Sequence, residues 1–168
     1  GTEALDLGQT AGDVVFLSAA DTELAGLAQA RGELEGDLPS LRLANLMQLG
    51  HNMSVDLYTD SVLAGARVVV VRLLGGTGYW PYGMERGSET CRRNEIPLAV
   101  LPGDDQPDAE LARLSTLPAE ACHRLWQYAV HGGAANFRNL LCYVASLLDH
   151  DQDWAEPVPL LRAGLYWP

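Results

Sequence analysis

The sequence predicts an α/β fold, an open parallel sheet of four strands with helices on both faces, and two observations carry that prediction. Four short runs rich in β-branched or aliphatic residues recur along the chain, at Val14–Ser18, Leu41–Ala44, Val68–Leu73 and Leu98–Leu101. The stretches between them place apolar residues at helical rather than alternating spacing. Near-continuous apolar strands that alternate with helices form parallel sheets, because each crossover lays a helix over one face until both are buried. Right-handed crossovers with one reversal of direction after the second strand give the order 2-1-3-4, a flavodoxin- or Rossmann-like arrangement.

Each element has its own signal. Asp21-Thr22-Glu23 before Leu24, Leu27 and Ala28 marks a helix start, with Gly32 or Gly36 available to end it. Ser54 with Val55, Tyr58, Val62 and Leu63 predicts a second helix closing at Gly65. A third begins near Tyr79 to Pro81 and runs toward Asn94, weakened at Gly83 and Gly87 by roughly 1 kcal/mol each relative to alanine. Beyond Leu101, Pro102-Gly103-Asp104-Asp105 and Pro107 form a loop, and helical periodicity then holds to Leu148. A short helix carries Leu111 and Leu114, Pro118 suits the first turn of the next, and Gly132-Gly133 separates that one from Ala134–Leu148. The division expected is a parallel α/β domain over 1–105, a helical extension packed on it over 106–150, and a proline-containing linker into further domains over 151–168.

With 168 residues, 48% apolar and 20% charged, the chain has a globular composition and room for one sizeable core. Apolar runs such as Val68–Val71 are too short to span a bilayer, so no membrane role is expected. The net charge of −11 repels phosphate backbones, so nucleic acid is not an expected partner. Cys91, Cys122 and Cys142 are odd in number and widely spaced, which argues against a disulfide scaffold and for a reducing, cytoplasmic setting. All 11 basic residues are arginine. Without a lysine the chain has no Schiff base, and it has neither a P-loop lysine nor a kinase-type phosphate-pairing lysine, which excludes self-contained nucleotide hydrolysis by those designs.

Ligands of open parallel sheets bind beyond the carboxyl ends of the strands. That rule selects Ser18 and Asp21, Asn45, Gly75-Gly76, and the Pro102–Asp105 loop. The glycines of Leu74–Gly78 do not match G-x-G-x-x-G, but they allow close approach of a ligand, and Tyr79-Trp80-Pro81-Tyr82 beside them offers an aromatic platform for a flat macrocycle. A receiver-type pocket at Asp104-Asp105 would need a lysine, so the pair is expected as a solvated acidic loop, with a Mg²⁺ site as the alternative. Among the histidines, His123 and His131 are expected to be structural and the Asp149-His150-Asp151 cluster with Asp153 to be hydrated surface. His51 follows the second strand in a loop just before a helix, a position from which an imidazole can carry a proton or bind a metal.

Several blocks of the chain resemble one family. Ser40–Leu46 with Leu49 and His51, Met53–Asp56 with Tyr58, Ala66–Gly76, Tyr79-Trp80 with Tyr82-Gly83 and Glu85, Leu101–Asp105, Ser115–Pro118 and Arg162–Pro168 are similar to successive stretches in the amino-terminal region of the large subunits (CobN) of ATP-dependent aerobic cobaltochelatase. The large subunit of magnesium chelatase is the alternative of the same type. The resemblance implies a part in cobalamin biosynthesis: a subunit that binds a corrin, hydrogenobyrinic acid a,c-diamide, and cobalt(II) as the substrate metal. It implies AAA+ type ATPase subunits as partners, which supply ATP and Mg²⁺. The family's subunits are several times longer, so the chain is expected to be a fragment that is inactive alone, with its catalytic residues outside it. Within it, Asn45, His51, Gly75, Gly76, Tyr79 and Trp80 are the candidates for contact with the corrin, with Arg42 or Arg72 for its carboxylates, and His51 also for cobalt. A docking module without ligand contact, supported by the apolar end from Leu160 to Pro168, is the reading from a different class.

Overall fold

A computed structural model describes residues 3–160; the apolar end from Leu160 onward lies outside them apart from Leu160 itself. Strands β1 (Val14–Ser18), β2 (Leu41–Asn45), β3 (Val68–Leu73) and β4 (Leu98–Pro102) form one sheet in the order β2-β1-β3-β4. Every pairing is parallel, with Val14 opposite both Leu41 and Val68, and Val69 opposite Leu98. The expected order 2-1-3-4 is the order found.

Alternation along the strands splits the core between the two faces. Val15, Leu17, Val69, Val71, Leu98 and Val100 point to one side, where α2 (Asn52–Ser61), α3 (Pro81–Arg93) and α4 (Ala109–Leu114) cover them. Val14, Phe16, Val68, Val70, Ala99 and Leu101 point to the other, under α1 (Asp21–Glu33), α5 (Ala119–His131) and α6 (Ala134–Leu147). The helices after residue 106 therefore share a core with the sheet. Residues 151–160 lie along α5 and α6: Asn136 exchanges hydrogen bonds of 2.8 and 3.0 Å with Val158, and the Arg124 guanidinium sits 4.6 Å over the Trp154 ring and 2.8 Å from Glu156.

Two details differ from expectation for identifiable reasons. Leu41–Ala44 reads as a buried strand like the other three, yet β2 is half-buried because it is an edge strand. Its outer side is covered by the amino-terminal segment, where Gln9 Nε2 donates to Leu43 O at 2.8 Å and Arg42 Nε donates to Thr10 O at 2.8 Å. The second helix starts two residues before Ser54, at Asn52, and ends at Ser61, the rest of the expected span being a 3₁₀ turn over Leu63–Gly65.

In α3 the two glycines have different meanings. A Cβ on Gly83 would lie 1.9 Å from Trp80 Cε2, so the indole occupies the space a side chain would take. A Cβ on Gly87 would meet only Leu63 Cδ1, at 3.9 Å. Gly83→Ala is expected to destabilise by about 2 to 3 kcal/mol through overpacking, and Gly87→Ala to be neutral or stabilising by up to about 1 kcal/mol. Urea unfolding of both variants measures the difference, and equal effects would contradict the packing account.

Candidate functional site at the carboxyl edge of the sheet

The strands end together at Ser18, Asn45, Leu73 and Pro102, and the segments that follow β1, β3 and β4 line a cleft of roughly 200 Å³. Ser18, Ala20, Glu23, Arg72, Tyr79 and Gly103 are among the residues lining it. Helix α1 opens at this cleft. Its N-cap, Ala20, has no side chain to accept from the first turn, so the positive end of the helix faces the cleft without a side-chain cap.

The floor holds a buried ion pair. Arg72, in the otherwise aliphatic strand β3, contacts Glu23 Oε2 through Nη1, and the two side chains are 6% and 8% exposed. Arg72 Nε donates to Pro102 O at 3.1 Å, tying the ends of β3 and β4 together. Glu23 Oε1 is buried and has no hydrogen-bond partner. An unmet buried acceptor costs about 1–3 kcal/mol, more when charged. Burial pushes the Glu23 carboxyl above its ordinary value, against the lowering effect of Arg72.

The expected site residues fall into three groups. Tyr79 and Gly75-Gly76 are at the edge: Tyr79 is 42% exposed, and both glycines have positive φ, 86° and 79°, in the turn from β3 to the 3₁₀ turn Thr77–Tyr79. Asn45 is also at the edge but is engaged, since its Oδ1 accepts from Met47 N at 2.8 Å and its Nδ2 donates to Asp21 Oδ1 at 2.7 Å. Trp80 is elsewhere. It is 5% exposed, packed on Gly83, and its Nε1 donates to Leu49 O at 2.9 Å, so the structure makes it a core residue and not a surface for a ring.

His51 is exposed and is the N-cap of α2, its Nδ1 accepting from Met53 N at 3.0 Å. A neutral imidazole has one free lone pair. The cap uses it and leaves the ring proton on Nε2, so capping and metal ligation by His51 exclude each other. Among the described residues no group of three or more His, Cys, Asp or Glu is placed to hold a metal ion.

The remaining candidates are bound up in structure. Arg42 is spent on Thr10 O, Leu41 O and Ala11 O. Asp104 accepts from Gln106 N at 3.0 Å, and its carbonyl accepts from Trp126 Nε1 at 2.7 Å. His150 Nδ1 is 2.9 Å from Asp37 Oδ1, and His123 packs edge-on against Trp126. Glu23 received no role in the sequence beyond a helix start. The available signal was Arg72, a lone charge in an apolar strand, which requires a buried partner.

Two measurements test these assignments. His51→Ala is expected to cost about 1 kcal/mol and His51→Asn, which keeps a capping acceptor, to recover most of it; equal loss in both variants by urea unfolding would refute the cap. Between the ordinary Glu23 value of 4.5 and its raised folded value, the folded state binds more protons than the unfolded chain. The Glu23 contribution to stability is therefore highest at acid pH and falls as pH rises through that window. Glu23→Gln should remove this part of the pH dependence, and an unchanged profile would show that the shift is absent.

No protein-family model matches the chain. The aerobic cobaltochelatase subunit CobN of a Sinorhizobium species is 46% identical over 168 residues, all of this chain and 13% of that protein. The subunit of the same name from Pseudomonas aeruginosa is 45% identical over 163 residues, 96% of this chain and 13% of that protein. The solved catalytic subunit of cobaltochelatase from Mycobacterium tuberculosis matches with a TM-score of 0.70 and 29% identity, over 89% of this chain and 12% of that one. This chain spans about an eighth of the curated relatives it matches. Identity along the whole chain and the shared fold together relate it to the CobN family of aerobic cobaltochelatase subunits, over a segment of their length.

Proposed function

We propose that this chain is the amino-terminal part of the large subunit of a cytoplasmic, ATP-dependent cobaltochelatase, and that its carboxyl-edge loops form part of the cradle for the corrin. The identity of 46% across all 168 residues to a subunit of that name carries the proposal. Cobalt(II) and hydrogenobyrinic acid a,c-diamide are the substrates in this reading, and ATP and Mg²⁺ act through AAA+ type partner subunits. Metal insertion needs the ring nitrogens to lose protons while the cation sheds water, so the ring must be held still beside bases. The exposed Tyr79 ring gives the macrocycle a face, and the backbone N–H groups of Gly75 and Gly76 give its peripheral acyl oxygens donors. His51 takes part as base or ligand only by giving up its cap on α2.

A docking module is the second reading, favoured by Met47, Met53 and Leu57, which are 73%, 57% and 39% exposed around the start of α2. Titration with hydrogenobyrinic acid a,c-diamide, followed by tryptophan fluorescence, separates the two. The cradle reading expects a saturable change, weakened about tenfold by Tyr79→Ala. It also expects no ATP turnover by the chain alone with Mg-ATP. Absence of a saturable change in both this chain and the complete subunit would favour the docking module.

A further inference from the structure

The cleft at the carboxyl ends of β1 and β3 contains an acceptor without a donor and donors without an acceptor. Glu23 Oε1 is unpartnered, and the side chain that carries it is more than nine-tenths buried in the cleft lining. Beside it, Arg72 uses Nε on Pro102 and Nη1 on Glu23, leaving Nη2 without a protein acceptor among the described residues. The first N–H groups of α1 open onto the same cleft with no side-chain cap.

Charge narrows the ligand. A carboxylate would meet the Glu23 carboxylate, with Asp21 two residues earlier in the same first turn, and an ammonium would meet Arg72 and the positive end of α1. A primary carboxamide is uncharged and carries an N–H donor beside a carbonyl acceptor, the complement of what the cleft lacks. We propose that this cleft is a receptor for a neutral primary carboxamide, whose NH₂ donates to Glu23 Oε1 and whose carbonyl accepts from Arg72 Nη2 or the first N–H groups of α1. Tyr79, on the rim, covers the group that bears the amide. The proposal stands on the cleft alone and does not depend on the corrin reading.

Benzamide and benzoate have the same shape and differ in charge and in the donor, so they are the probes. Titrated into the isotopically labelled chain near neutral pH, benzamide is expected to shift the backbone resonances of Ala20, Glu23, Tyr79 and Gly103 saturably, with benzoate at least about tenfold weaker. Glu23→Gln should abolish that preference, because the residue facing the ligand then carries no charge. If this variant does not fold, Tyr79→Ala, altered at an exposed position, is expected to weaken benzamide while leaving the rest of the spectrum in place. Benzoate binding as well as benzamide, no saturable benzamide shift, or shifts confined to other surfaces would each overturn the proposal. Benzamide binding without any corrin binding would sink the corrin reading and leave this one standing, and the reverse result would do the opposite.

Discussion

An arginine near the end of an interior strand constrains everything around it. Arg72 lies on β3, between β1 and β4, and points to the face covered by α1, α5 and α6. A guanidinium buried there without a partner would cost several kcal/mol, so the first turn of α1 has to bring Glu23 to it. That requirement sets where α1 starts, and with it the loop from Ser18 to Ala20 and the contact of Asp21 with Asn45 at the end of β2. Because Arg72 also holds Pro102 O, one side chain links β3, β4 and α1, and through α1 the loop that ends β1. The cleft is what remains between these pieces once the pair is satisfied on one oxygen and not on the other.

The strands were legible because parallel sheets concentrate apolar residues into short runs with little else to confuse them. All four were located to within one residue, and their order followed from connection rules and not from side chains. The helices were less sharply readable. Glycines in α3 look like a weakness when propensity alone is considered, whereas Gly83 is where the Trp80 indole fits. No periodicity shows that, because Trp80 is the N-cap of α3, and its non-helical backbone (φ −146°, ψ 60°) decides where the ring lies relative to Gly83 three residues on.

The candidate site was legible as a place on the sheet edge and less so as a set of free polar groups. The carboxyl-edge rule pointed to Asn45, Gly75, Gly76 and Tyr79, and all four are there. The rule cannot tell which polar groups are already satisfied. Asn45 is consumed by the backbone of Met47 and the carboxylate of Asp21, His51 by the start of α2, and Trp80 by the core. Glu23 escaped because acidic residues in a first helical turn are ordinary favourable partners of the helix dipole. Its burial depends on Arg72, 49 residues away in the chain.

Both lateral edges of the sheet are flanked by the chain itself, β4 through its backbone and β2 through side chains. Outside β2 runs the segment holding Gln9 and Thr10, and outside β4 the stretch Ser115–Leu117 occupies the strand, with Ser115 Oγ accepting from Val100 N and Thr116 N donating to Leu98 O, each at 2.8 Å. A foreign strand therefore finds the outer ladder of β4 already taken up, and on the β2 flank it would have to displace the Gln9 amide from Leu43 O and the segment that carries it. Neighbouring protein is met more readily through helix surfaces and loops, which are contacts that can slide or loosen without disturbing the sheet.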